Sequence, residues 1–221
     1  MNEVGPNIDQ YNTLVSPSEG EYKEKGSKFI SFALPFDHED ALEYILQGIK
    51  SQHPKARHFC YAYKIGLDDD RYRVNDDGEP SGTAGKPILG QILSHQLTHT
   101  IIVVVRYFGG TKLGASGLIH AYKEASRDAL SKATIVEKYL YSHYELIFEY
   151  AHMGQILSVI KSLEVDITDK SFDIDCRVSF QVRLSQEHQL ILSIKAALLY
   201  RDIDDVDIDT EIPICKLIKV A

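Results

Sequence analysis

The chain has 221 residues, 44% hydrophobic and 25% charged, which is an ordinary globular composition long enough to bury a core in one large or two small domains. A formal net charge of −8 argues against indiscriminate nucleic-acid binding through bulk positive charge. No apolar run approaches the roughly 20 residues that span a bilayer. The acidic, polar start MNEVGPNIDQY is unlike a signal peptide, so no membrane partner is expected.

Residues 1–20, with Gly5, Pro6, Pro17, Gly20 and few apolar side chains, read as a loosely ordered lead-in to a domain over 21–135. Tyr22 to Phe36 reads as one or two strands. Asp37 is placed to cap a helix running to about Gln52, because Ala41, Tyr44, Ile45 and Ile49 recur at helical spacing. His53-Pro54 ends it. Arg57–Ile65 alternates and is aromatic, a strand that Arg71–Val74 would pair with across the acidic turn Asp68–Asp70. Ile88, Leu89, Ile92 and Leu93 mark a helix with Thr83 as its cap and Pro87 tolerated in its first turn. Thr100–Val105 (TIIVVV) fits a central strand buried on both faces. Leu118, Tyr122, Ala125 and Ala129 then form the buried stripe of a long helix, with Lys123, Glu124, Arg127 and Asp128 outside.

A boundary near 134–138 is followed by a domain over 139–221 with the order strand, helix, strand, strand, helix, strand. Tyr144, Leu146 and Phe148 share one strand face, and Met153–Leu163 is a helix. Val178, Phe180, Val182 and Leu184 alternate with polar residues, and Gln186–Leu199 is helical. The last strand is expected within Val206–Ile214, where Asp205, Asp207, Asp209 and Glu211 would form a solvated carboxylate stripe. This βαββαβ order is the split, ferredoxin-like arrangement, so the fold class is α+β. Residues 1–135 hold 15 basic and 17 acidic side chains, against 9 and 15 in residues 136–221; the acidity belongs to the second domain. Cys60, Cys176 and Cys215 are odd in number and widely spaced, which points to free thiols in a reducing cytoplasm.

Two glycine-rich segments concentrate the polar chemistry. In Asp76–Lys86 (DDGEPSGTAGK), Gly78, Gly82 and Gly85 let the backbone turn back, and Ser81, Thr83 and the following helix start offer donors for an anion. Asp76, Asp77 and Glu79 would orient cations or hold a divalent ion, with Lys86 closing the segment. The alternative is a loop whose turns and caps satisfy its own backbone. GxxxxGK[ST] fails because Pro80 stands five residues before Gly85 and Pro87 follows Lys86. In Arg106–Gly117 (RYFGGTKLGASG), Arg106 leaves the strand end, Gly109-Gly110 permits a sharp turn, and Lys112 projects. Gly114, Ser116 and Gly117 then open a helix suited to a phosphate or carboxylate. Tyr107 and Phe108 could stack a base, though aromatics beside a core strand are usually core. Lys25, Lys28, Arg57 and His58 extend a basic cluster with Arg106 and Lys112. His58 and Cys60 share a strand side, where a buried thiol beside a satisfied histidine is the better reading than a nucleophile pair.

The strings DDGEPSGTAGKPIL, RYFGGTKLG…GL…AY, KGSKFI at 25–30 and HPKARHFCYAYKIG at 53–66 resemble the YigZ/IMPACT family over about residues 20–130. The resemblance implies an N-terminal domain with the fold of ribosomal protein S5 domain 2 and a ferredoxin-like domain like the last domain of translocation elongation factors. Eukaryotic members regulate translation by competing for the activator of a stress kinase, through a protein with a further N-terminal domain. Bacterial members are thought to bind nucleic acid or ribosomal components. Ser116 and His120 stand where relatives commonly have Gly and Arg, which weakens the positive character of the helix start. The expectation is a non-enzymatic, translation-associated protein that touches RNA, the ribosome or a translation factor through both loops, without cofactor, metal or catalytic residue. Its rivals are an enzyme acting on a phosphorylated ligand with a divalent cation, and a protein competitor without RNA contact.

Overall fold

A computed structural model describes residues 9–67, 71–173 and 175–220. Contacts divide them into residues 11–138 and residues 139–220, with residues 9–10 belonging to the second unit. Both are mixed α and β.

The first unit is organised by its most apolar strand. Its strands are β1 (Gln10–Leu14), β2 (Ser18–Glu24), β3 (Ser27–Pro35), β4 (His58–Lys64), β5 (Tyr72–Asn75), β6 (Thr100–Tyr107) and β7 (Ile135–Tyr139). Its helices are α1 (Leu42–Gln52), α2 (Gly85–Ser94) and α3 (Gly114–Ser131). Five strands form an antiparallel sheet in the order β2-β3-β6-β4-β5, and β1 and β7 pair separately. Central β6 buries both faces, as its unbroken β-branched run requires. Ile102 and Val104 pack with Phe29, Cys60, Ile88, Leu118 and Tyr122 beneath α2 and α3. Ile101, Val103 and Val105 pack on the other face with Phe32, Phe59 and the α1 residues Leu46 and Ile49. At about 1.5–3 kcal/mol for each fully buried aliphatic side chain, these layers fix the sheet's register. Because side chains alternate, Arg106 shares the face of Ile102 and Val104 and points under α3.

The second unit runs β8 (Tyr141–Phe148), α4 (Met153–Ser162), β9 (Asp166–Phe172), β10 (Cys176–Arg183), α5 (Glu187–Leu199) and β11 (Cys215–Val220). Its antiparallel sheet has the order β11-β8-β10-β9. Leu146, Phe148, Val178, Phe180 and Val182 meet Ile156, Ile160, Ile191 and Ile194 in one core.

Several local expectations give way to tertiary contacts. Residues 9–20 are structured: β1 and the start of β2 lie there, while residues 1–8 and the turn 68–70 lie outside the described residues. Asp37 does not cap α1, which a short 3₁₀ turn (Glu39–Ala41) introduces; its carboxylate lies 3.2 Å from Nδ1 of His99 instead. The last strand is Cys215–Val220, not a segment of 206–214. The Asp205–Glu211 stripe therefore does not exist. Asp205 ends a 3₁₀ turn, and Asp207 accepts the Thr210 hydroxyl at 2.7 Å within a turn.

Asp9 is fully buried in the second unit. It accepts Arg183 Nη2 at 3.0 Å and the Ser185 amide and hydroxyl at 3.0 and 2.6 Å. The Arg183 hydrogen bond, opposed by burial and aided by Ser185, pulls its pKa down to about 2 from 3.8. A depressed carboxylate contributes stability that is complete above the unfolded value and disappears as pH falls through the folded one. Between pH 5 and 2 the second unit is therefore expected to weaken. Asp9→Asn should lower its stability at neutral pH and flatten that acid limb, read as hydrogen exchange across β8 and β10 against pH.

Candidate functional site

Antiparallel pairing brings four chain segments to one end of the first unit's sheet. The β2–β3 turn at Lys25-Gly26, the start of β4 at His58, the end of β5 at Asn75 and the end of β6 at Tyr107 all lie there. Both glycine-rich loops leave from this end. Gly109 rests directly on the hairpin turn: a Cβ built on it would sit 1.9 Å from the Gly26 carbonyl carbon, and its amide donates to Ser27 Oγ at 3.1 Å. Only a residue without a side chain allows that approach.

Below the surface the loops are joined by a buried ion pair. Arg106 Nη1 donates to Glu79 Oε1 at 2.5 Å, with the two side chains only 7% and 4% exposed. The Tyr122 hydroxyl donates to the same oxygen at 2.8 Å. The guanidinium lies 5.5 and 5.6 Å from the ring centroids of Phe29 and Phe108, while its buried Nε has no partner among the described residues. The Cys60 thiol sits 3.0 Å from the Asp76 carbonyl and 3.2 Å from the Tyr122 hydroxyl, either of which takes its single proton. Burial pushes the thiol and the Tyr122 phenol well above their usual ranges, so both stay protonated. Cys60 is thus no nucleophile.

The first loop folds around Asp76. Its carboxylate accepts the amides of Gly82 at 2.8 Å, Ala84 at 3.0 Å and Gly85 at 2.8 Å. Burial opposes the charge of Asp76, but the three amides outweigh it and hold the pKa below the carboxylate range. The start of α2, expected to receive an external anion, is filled by the protein's own carboxylate. Thr83 is not the cap; its hydroxyl donates to the Pro80 carbonyl at 2.7 Å. Asp77 adopts φ 40° before Gly78 at φ 84°, accepts the Phe59 amide at 2.6 Å, and its carbonyl takes His58 Nδ1–H at 2.8 Å.

Each expected site residue can now be placed. Arg106 does not project toward a ligand, because the parity of β6 turns it inward onto Glu79. Asp76, Asp77 and Glu79 do not converge on a metal, since their oxygens serve backbone amides, Arg106 and Tyr122; among the described residues no group of three metal-ligating side chains occurs. Lys28 pairs with Glu21 at 2.6 Å. Tyr107 is core-facing, 2.9 Å from His53 Nδ1. Lys25, Arg57, Ser81, Lys86, Lys112 and Ser116 are exposed, as is Phe108 at 58%. The start of α3 carries no side-chain cap. Sequence reasoning missed Tyr122 as a polar member of this site. The available signal was a tyrosine in an otherwise Leu/Ala stripe, whose hydroxyl needs a buried partner.

Sheet, ion pair and outward cations define a mixed α+β domain that presents two interlocked glycine-rich loops at one end of its sheet. Residues 25–130 match the Impact N-terminal domain, and the chain belongs to the IMPACT family. It is 40% identical over 149 residues to the IMPACT family member YvyE of Bacillus subtilis, covering 67% of this chain and 69% of that one. It is 35% identical over 150 residues to the IMPACT family member YigZ of Escherichia coli, covering 67% and 74%. Among solved structures, the crystal structure of a hypothetical protein aligns with a TM-score of 0.65 at 26% identity, over 97% of this chain and 99% of that one.

Removing one partner of a buried pair strands the other charge. Glu79→Gln is expected to lower stability by about 3–5 kcal/mol, measured by chemical denaturation. Glu79→Leu combined with Arg106→Met should recover most of that loss. Gly109→Ala should disrupt the Gly26 turn and expose the Ser27 and Gly109 amides to faster exchange.

Proposed function

We propose that the chain is a non-enzymatic, translation-associated binding protein that docks the phosphate backbone of structured RNA, free or in the ribosome, on this end of its sheet. One observation carries the reading: the loop carboxylates are engaged by the protein's own amides, Arg106 and Tyr122, while the loop cations are left outside. Lys25, Arg57, Lys86 and Lys112 are exposed and make no ion pair with the described residues. Surface lysines and arginines so presented attract phosphates regardless of net charge, and exposed Phe108 offers a ring for stacking. Family membership supports the translation-associated part of the reading. Arg106 acts as a positioning residue, holding the second loop against the first.

The finer fold assignments belong to the same proposal. The first unit would have the ribosomal protein S5 domain 2-like fold and the second the ferredoxin-like fold; the strand order β11-β8-β10-β9 with two helices on one side supports the latter. A reducing, cytoplasmic setting fits three buried free cysteines. No helix among the described residues is long and apolar enough to cross a membrane.

Filter binding with structured RNA tests the assignment. Affinity should fall as salt rises, and Lys25→Ala or Lys112→Ala should each weaken binding severalfold and reduce the salt slope by about one. Affinity indifferent to salt and to both substitutions would remove RNA from the proposal. Ribosome or factor capture surviving nuclease treatment would then assign the loops to a protein partner.

A further inference from the structure

Among the described residues β11 is an edge of its sheet, hydrogen-bonded to β8 on one side only. A groove of about 960 Å³ runs beside it, entirely within the second unit. Its apolar wall includes Ile147, Ile208, Ile212, Pro213, Leu217 and Ile218. Ile208 and Ile218 are 49% and 43% exposed, an uncovered apolar strip on a strand with unfilled ladder positions. Its rim carries Glu149, Asp175, Asp209 and Glu211. Of the lining cations, Lys195 is buried and consumed by carbonyls: it donates to Thr210 O at 2.7 Å and to Ile208 O. That anchor holds the 208–210 segment as the far wall of the groove and leaves Lys216 and His152 as the remaining basic groups on the lining.

We propose that β11 and this groove bind an extended basic peptide, which adds to the sheet as a further strand. A β-strand ligand satisfies the edge amides and carbonyls through its backbone and directs alternate side chains to opposite faces. One set of side chains would be apolar, to cover Ile208 and Ile218. The other would be lysine or arginine, because four lining carboxylates face exposed Lys216, while Lys219 of β11 is paired with Glu187 at 2.5 Å, a balance that favours a cation and repels a nucleic acid. The same charges disfavour a second copy of this acidic unit. This inference stands apart from the loop surface and shares no residue with it.

Fluorescence anisotropy tests it with the full chain and a labelled peptide of about eight residues alternating Lys and Val, long enough to span β11 at strand rise. Saturable binding is expected, with slowed amide exchange confined to β11 and its flanks. Asp209→Asn combined with Glu211→Gln should weaken binding on the order of tenfold, and added salt should weaken it further. Ile218→Lys, on an exposed side chain, should weaken it without unfolding the unit. A peptide of the same composition interrupted by proline should not bind, because it cannot complete the ladder. No binding of the Lys–Val peptide, equal binding of a Glu–Val peptide, or protection appearing away from β11 would overturn the proposal. So would a dimer whose β11 amides are already slow without peptide.

Discussion

Arg106 follows six consecutive residues with no exposed surface, on a strand whose alternation turns it inward. A guanidinium so placed must find a counter-charge within the protein, because leaving it unpaired in low dielectric is far costlier than ordering a loop to meet it. Glu79 is that counter-charge, and it lies in the middle of the first glycine-rich segment. The pairing therefore dictates where that segment runs, and Tyr122 and Cys60 complete the polar cluster from α3 and β4. The close approach of Gly109 to Gly26 secures the second segment from its other side.

The same constraint sorts the charges. Carboxylates in tight turns can accept from backbone amides that would otherwise be orphaned, whereas ammonium groups on long stems reach water easily. Asp76 occupies the helix start that resembles a phosphate pocket, so an external phosphate is excluded there by a ligand already in place. What remains available is the lysine and arginine fringe, together with the uncapped start of α3. A nucleotide-processing enzyme would need the reverse arrangement, with open amides and converging carboxylates. The loop end thus has a rigid, internally bonded floor and a solvated rim, the arrangement on which the proposed docking role rests.

The fold was largely legible where a single period dominates. TIIVVV announced a strand buried on both faces, and Leu118, Tyr122, Ala125 and Ala129 announced the inner side of α3; all four are buried. Failures fell where a short polar side chain found a partner outside its own local motif. Thr83 has the right chemistry for a cap, yet Asp76, eight and nine residues before the amides it accepts, does the work. Asp37 likewise serves His99 on a distant segment. The alternating acids near the C-terminus mimicked a strand, but Thr210 closes a turn on Asp207 and the strand begins only at Cys215. The inward turn of Arg106 was available from parity with Ile102 and Val104. A position at the end of a core strand, just before a glycine-rich loop, masks that parity.

The uneven charge along the chain acquires a physical meaning from these details. In the first unit, acids near the loops are hydrogen-bonded internally, so its balanced sum of 16 basic and 16 acidic side chains over residues 11–138 coexists with an outward basic fringe. In the second, the one deeply buried lysine, Lys195, is spent on carbonyls of the 208–210 segment. The carboxylates beside β11 are consequently left without that lysine as a partner. Counting charges from composition would leave the first unit without a sign. Following each charged group to its partner gives the loop end a basic fringe and the β11 groove an acidic rim.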